Sequence, residues 1–288
     1  MNLQQQLLAI RLTSGIGIAT ETRIIKLIDN ASLPTCYPWP LDLILHISND
    51  SKYRQIQATY DMALEKAQGI EEKYITYYDH AYPQRLREIY QPPLILFYEG
   101  HLEALNLPSL SVVGTRSATS YGMNSLRYLL PSVVNAGIAI VSGLAQGIDV
   151  MSHQITFANS GVPIAVVGTG TDVVYPRRNA SLQSQIAKQG LILSEYLPGT
   201  GPHRAHFPAR NRIIAGLSSA TLVIEAKMKS GSLITANSAL QNNRDVLSIP
   251  GSIFSQESQG TNELLSLGAK TVTKSQDIIE SVQLLGTI

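Results

Sequence analysis

The residues best suited to chemistry in this chain are arginines, lysines and glycines placed where apolar runs end. At Ser111–Gly122, SVVGTRSATSYG, an apolar run stops at Gly114, Arg116 follows, and a helical pattern begins. A strand, a tight turn and a helix start leave unpaired N–H groups and the positive end of the helix dipole facing one spot, which makes an anion site. Arg116 adds a forked cation beside it. A second site of the same kind is predicted at Lys229, Ser230, Gly231 and Ser232, where hydroxyl and amide donors converge on another helix start. Between them, GTGPHRAHFPARNR at 199–212 supplies Arg204, Arg210, Asn211 and Arg212, with Phe207 among the cations. Arginines in the first turn of a helix oppose its dipole, and a bound anion offsets that cost.

Cations that follow a backbone, with aromatics that stack on bases, suit single-stranded nucleic acid. Phe207 fits that role and equally fits a staple holding the next helix to the core. Arg177 and Arg178, in GTGTDVVYPRRN at 168–179, fit a ligand contact or a solvated loop.

Other chemistries lack their residues. SGLAQGID at 142–149 places Gly143 in a tight turn, but G-x-x-x-G is not the dinucleotide fingerprint, and no ribose-binding acid ends a second strand. The order G-x-x-x-x-G-K-[ST] of a P-loop is missing. Asp149 and His153 lie four apart on one helix face, where a helix cap and a packed histidine account for them better than a metal that lacks a third ligand. His203 and His206 likewise have no Cys or third ligand in view. No convincing Ser-His-Asp set or catalytic Cys appears. The sequence therefore predicts no cofactor, no metal and no enzyme activity.

The elements that must position these residues are regular. Apolar runs at Leu110–Val113, Ile138–Val141, Ile164–Val167, Leu191–Leu193, Leu222–Ile224 and Val246–Ile249 are mostly separated by helix-length segments. Short β-branched runs of this kind are strands covered on both faces, and alternation with helices implies right-handed crossovers and a doubly wound, mostly parallel sheet. Ligands in such sheets sit beyond the carboxyl ends of the strands. Before this part, residues 1–72 show helical spacing (Leu7, Leu8, Ile10, Leu12, then Ile24, Ile25, Leu27, Ile28), broken at Ser14–Gly17. That Gly-Ile-Gly turn fits a helix-hairpin-helix or an ordinary tight connection. Residues 33–40, rich in proline and containing Trp39, predict an irregular packed loop. The expected domains are 1–72, all helical, and 73–288, an α/β unit that begins with β-rich runs at Tyr74–Tyr78 and Leu94–Tyr98.

The net charge of +1 does not by itself indicate a polyanionic partner, so that argument rests on clustering. From His203 to Lys229 five cations stand against the single acid Glu225. The single cysteine, Cys36, rules out an internal disulfide, and no signal-peptide pattern starts the sequence, which predicts a cytoplasmic protein. No apolar stretch approaches the ~18 residues of a membrane span.

Several of these segments occur together in one family. GTR with its later YG, SGLAQGID followed by His153, YPRRN, LSEY, FPARNRIIAGLS, SGSLITA and GTNELLSLGA resemble the DNA-processing protein A (DprA/Smf) family over about Tyr82 to Ala269. The resemblance implies an extended Rossmann-like fold with a small SAM-like helical domain in front. It also implies sequence-independent binding and protection of single-stranded DNA, loading of the RecA recombinase in natural transformation, and homodimerisation through the Rossmann domain. Its DNA pocket maps onto Gly114, Arg116, Gly143, Arg210, Asn211, Arg212, Lys229, Ser230, Gly231 and Ser232, with Arg204 on a phosphate and Phe207 on a base. The alternative is a nucleoside-monophosphate phosphoribohydrolase, for which GTGTDVVY offers glycines and Asp172 but not the G-G-x-G-T-x-x-E acid spacing.

Overall fold

A computed structural model describes residues 1–48 and 52–284. The chain divides into two compact units, residues 1–82 with 91–96 and residues 83–90 with 97–288.

The first unit holds helices α1 (Leu3–Leu12), α2 (Ile18–Asp29), α3 (Leu41–Ser48) and α4 (Tyr53–Gln68), followed by strand β1 (Tyr74–Thr76). Asn2 and Gln5 close a reciprocal capping box that fixes the start of α1. Leu7, Leu8, Ile10, Ile24, Ile44 and Ile56 are fully buried, as the helical spacing requires. The 33–40 loop is ordered around a buried polar side chain. Trp39 N–H donates to Gln6 Oε1 at 2.9 Å, Gln6 Nε2 donates to Tyr60 Oη at 3.0 Å, and Tyr60 donates to the Trp39 carbonyl at 2.8 Å. Residues 73–82 and 91–96, assigned by sequence to the α/β part, group with this unit. Tyr78 explains part of that placement, since its hydroxyl donates to the Ile25 carbonyl at 3.1 Å and to Asp29 Oδ1 at 2.9 Å. At Ser14–Gly17, Gly15 takes φ +96° and Gly17 caps α2. Glu21 already supplies a negative charge to the first turn of α2, paired with Arg11 at 3.1 Å.

The second unit is the doubly wound sheet. In chain order it runs α5 (Gln84–Arg87), β2 (Ile95–Gly100, entering at residue 97), β3 (Ser109–Val113), α6 (Ser120–Asn135), β4 (Ala139–Ser142), α7 (Ile148–Ala158), β5 (Pro163–Val167), α8 (Ala180–Gln189) and β6 (Leu191–Ser194). Then follow α9 (His206–Leu217), β7 (Ala220–Val223), α10 (Gly231–Gln241), β8 (Asp245–Ser248), α11 (Gln259–Ser266), β9 (Lys270–Thr271) and α12 (Ser275–Leu284). The strands lie in the order β2-β6-β5-β4-β3-β7-β8-β9. All pairs are parallel except β2 with β6, so the sheet is mixed and mostly parallel.

Leu110 and Val112 of β3 face a core made with Leu126, Leu130 and Val133 of α6, Ile148 of α7, and Ile278 and Val282 of α12. Ser111, between them, points the other way because strand side chains alternate, and it donates to the Ile214 carbonyl of α9 at 2.7 Å. From β3 the chain winds outward through β4 and β5 to β6, then returns to place β7 on the other side of β3. Strand order reverses between β3 and β7. That reversal opens a crevice at their carboxyl ends, between the turns that begin at Gly114 and Glu225.

Candidate nucleic-acid interface

A groove of about 690 Å³ occupies this crevice. Gly114–Ser117 line one side and Lys227 with Ser230–Ser232 another, while Tyr175, Arg204, Phe207 and Asn211 complete much of the rest.

The turn after β3 has a fixed shape. A Cβ on Gly114 would come within 2.5 Å of Ile148 Cγ1, and one on Gly147, at φ +85°, within 2.4 Å of the Thr115 carbonyl. Gly114 makes room for the Ile148 side chain and Gly147 lets two backbones close on each other, and Arg116 projects from the result with an exposed side chain. The N-terminus of α6, however, already holds an anion. Glu225, buried to 1% exposure, accepts from Thr119 N–H at 2.9 Å and from Thr119 Oγ1 at 2.5 Å. The anion position expected at the first helix start is therefore filled by the protein's own carboxylate.

The α10 N-terminus differs. Ser230 stands at its N-cap with no side-chain capping bond, and its Oγ is buried without a hydrogen-bond partner. Lys229 is exposed with φ +57°, a left-handed conformation uncommon for a residue with a side chain. Asn211 ties this corner to α9, its Nδ2 donating to the Gly231 carbonyl at 3.3 Å.

Helix α9 begins at His206, so Arg210, Asn211 and Arg212 sit in its second turn rather than its first, and Phe207 lies in the first turn rather than in a loop. In the second turn these residues lie away from the positive end of the helix dipole, so no bound anion is needed to offset it there. Arg210 is buried to 5% exposure, and its Nη1 donates to the carbonyls of Gly143 at 2.6 Å and Val166 at 2.5 Å, beyond the ends of β4 and near that of β5. Its Nε donates to Asn211 Oδ1 at 3.1 Å. Gly143 leaves room for the guanidinium, since a Cβ there would lie 2.1 Å from Arg210 Nη1. Arg212 makes a two-pronged ion pair with buried Glu195, at 2.9 and 2.6 Å.

Asp149 does not cap its helix, for Gly147 holds the cap position of α7. Its carboxylate accepts instead from the amides of Gly143 at 3.2 Å and Ala145 at 3.3 Å. Burial pushes its pKa up to about 6, against the opposing pull of Arg210 and those amides. His153 is fully buried with neither ring nitrogen hydrogen-bonded, and burial together with Arg210 drives its pKa down to about 3. This is the packed histidine the sequence predicts.

Arg204 is exposed in the loop before α9. Phe207 is half-buried and lies beside the half-exposed ring of Tyr175, with centroids 5.5 Å apart and planes at 36°. Tyr175 escaped the sequence reading, although an aromatic in a strand-end loop beside two arginines was a usable signal. Arg178 donates to Gln146 Oε1. His206 stacks on Tyr196 at 3.8 Å between centroids, and its Nδ1 lies 3.1 Å from the Gly168 carbonyl. Among the described residues no group of three or more His, Cys, Asp or Glu is arranged to hold a metal. No described helix is long and apolar enough to cross a membrane.

The fold and groove define a Rossmann-like α/β protein whose switch-point crevice is lined by cations, an open helix start and paired aromatic rings. The chain belongs to the DNA recombination-mediator protein A family, whose pattern matches residues 73–283. It is 49% identical over 201 residues to DNA processing protein DprA of Streptococcus pneumoniae, covering 70% of this chain and 71% of that one. The solved structure of DprA from Streptococcus pneumoniae is similar at a TM-score of 0.89 and 39% identity, covering 97% of this chain and 98% of that one. DNA processing protein A from Helicobacter pylori, solved in work on its single-stranded DNA binding mode, matches at a TM-score of 0.67 and 30% identity. That match covers 74% of this chain and 97% of that one.

Proposed function

We propose that this protein binds single-stranded DNA without sequence preference in the β3–β7 groove, protects it, and loads RecA recombinase onto it during natural transformation. The observation that carries the reading is one crevice that combines exposed Arg116, Arg204 and Lys229, the uncapped start of α10, and the Tyr175–Phe207 ring pair. Cations and helix amides take phosphates of any sequence, and rings take any base. The DNA-binding relative from Helicobacter pylori supports it. Within the predicted pocket, Arg116, Arg204, Lys229 and Ser230–Ser232 contact phosphates, and Phe207 stacks on a base. Gly114, Gly143, Arg210, Asn211 and Arg212 act by holding those groups in place.

The protein acts without catalysis in this reading and as a cytoplasmic homodimer joined through the Rossmann domain. Exposed Ile253, Phe254 and Leu267 around α11 support an interface on that unit. The hydrolase alternative draws no support from Asp172, whose carboxylate accepts from Gly199 N–H at 2.8 and 3.0 Å. An oligonucleotide gel shift across salt concentrations, with duplex competitor, tests the reading. Single-strand binding that weakens steeply with salt and resists duplex is expected, and no shift at low salt refutes it.

A further inference from the structure

The two helix starts at the crevice have the same construction and opposite states. At α10 the Ser230 side chain caps nothing and the groove reaches Gly231 and Ser232. At α6 the groove reaches Ser117, and the helix start beyond it is bound to Glu225. Glu225 directly follows Ile224 past the end of β7, so its carboxylate crosses the switch point from one strand end to the other's helix. There it takes Thr119 N–H directly. It also takes the Thr119 hydroxyl, whose oxygen in turn accepts from the amides of Tyr121 at 3.2 Å and Gly122 at 3.4 Å. A carboxylate in that position does electrostatically what a bound phosphate does at a helix start. The fit is close, because a Cβ on Gly122 would lie 2.3 Å from Glu225 Oε2. The main chain of the same residue holds the Arg116 turn, its carbonyl accepting from Thr115 N–H at 2.8 Å.

We infer that Glu225 is a specificity-determining residue: it plugs the helix start where a Rossmann-like crevice receives a free nucleotide's phosphate, and it braces the Arg116 turn for a polynucleotide. Mononucleotides then lose the site that would hold them, while a strand's phosphates still have Arg116, Arg204, Lys229 and the α10 start. Among the other described acids at the crevice, Asp149 is committed to the amides of Gly143 and Ala145 and Glu257 pairs with Lys227 at 3.2 Å, whereas Glu225 holds the α6 start.

The polynucleotide half of this inference rests on the proposed function, and the mononucleotide half does not. The test titrates wild type, Glu225→Ala, Glu225→Gln, Gly122→Ala and the Gly122→Ala/Glu225→Ala pair with AMP, inorganic phosphate and an oligonucleotide, with circular dichroism as the folding control. Wild type binds AMP and phosphate only weakly, at the α10 start, and Glu225→Ala binds both more tightly by gaining the α6 start. Gly122→Ala, which drives the carboxylate off the helix, weakens oligonucleotide binding about tenfold, and shortening Glu225 in the double variant relieves much of the clash. Glu225→Gln separates the lost charge from the lost bulk.

AMP binding by wild type equal to that of Glu225→Ala overturns the plug. Wild-type oligonucleotide affinity in folded Gly122→Ala overturns the brace, whose hydrogen bond is accepted by the main-chain carbonyl that Glu225→Ala keeps. If Glu225→Ala does not fold, Gly122→Ala and Glu225→Gln decide the question by the same readings. Failure of wild type itself to bind the oligonucleotide refutes the proposed function and leaves the AMP comparison standing.

Discussion

Replacing Arg210 by methionine separates a brace from a phosphate ligand, because the two roles predict different observables. The substitution keeps an unbranched apolar stem and removes the guanidinium. Two carbonyls, Gly143 at 2.6 Å and Val166 at 2.5 Å, lose their donor. A buried polar group left without a partner costs about 1–3 kcal/mol. Asp149 also loses the nearby positive charge that favours its ionised form. These costs overlap, since the carboxyl escapes part of its penalty by taking up a proton, and a net loss of about 4 kcal/mol follows. In a domain of this size that lowers the melting temperature by roughly 10 °C. Adding Asp149→Asn recovers part of the loss by removing the stranded charge, as a double-mutant cycle measures. The assay is thermal denaturation at pH 7, paired with oligonucleotide titrations over a range of salt. A variant that melts with wild type while its salt dependence falls by one charge refutes the bracing role and makes Arg210 a phosphate contact.

Arg116→Ala and Lys229→Ala, both exposed, should leave melting within about 0.5 kcal/mol of wild type and flatten the salt dependence by roughly one charge each. Equal affinities at every salt concentration would count against the groove. Phe207→Ala and Tyr175→Ala should lose about 1–3 kcal/mol of oligonucleotide affinity with the salt slope intact, read from the same titrations. Arg212→Ala should destabilise the fold by about 3 kcal/mol through Glu195 while keeping the wild-type salt slope; a reduced slope contradicts the structural pairing. The buried pair Asp149 and His153 predicts opposing pH effects. With its folded pKa raised from 3.8 to about 6, Asp149 keeps a proton that the unfolded chain releases, so its share of stability falls as pH rises between those values. With its pKa lowered from 6.5 to about 3, His153 refuses a proton that the unfolded chain takes, so its share rises with pH over that window. Asp149→Asn should therefore leave a stability that climbs from pH 4 to 6 more steeply than wild type, by about 1.4 kcal/mol per unit, and His153→Leu the reverse. Melting curves at three pH values check this, and slopes identical to wild type in both variants would refute it.

The strands of the α/β sheet were legible one by one, because runs such as Ile164–Val167 and Leu191–Leu193 are short, continuous and apolar, the signature of strands buried on both faces. The turn glycines and the start of α10 were legible too, since glycine tolerance and helix caps are local properties. The start of α9 was not. His206 opens that helix without a side-chain cap, so no residue type announces it, and the Arg210–Arg212 run was placed one turn too early.

By itself, then, the sequence determined which chemistry was present: cations and glycines at strand ends, an aromatic among them, and neither a P-loop nor a dinucleotide fingerprint. Only the tertiary structure decided which of those cations face the crevice. Arg116 and Arg204 remain exposed, whereas Arg210 turns inward to the carbonyls of residues 67 and 44 positions away, and Arg212 turns to Glu195, 17 residues earlier. It also decided that Glu225, which reads in sequence as a lone acid among basic residues, closes the α6 helix start 106 positions before it. Residue type fixes what a side chain is able to bind. Its partner is fixed by which strand ends the winding of the sheet brings together, and sequence spacing does not encode that distance.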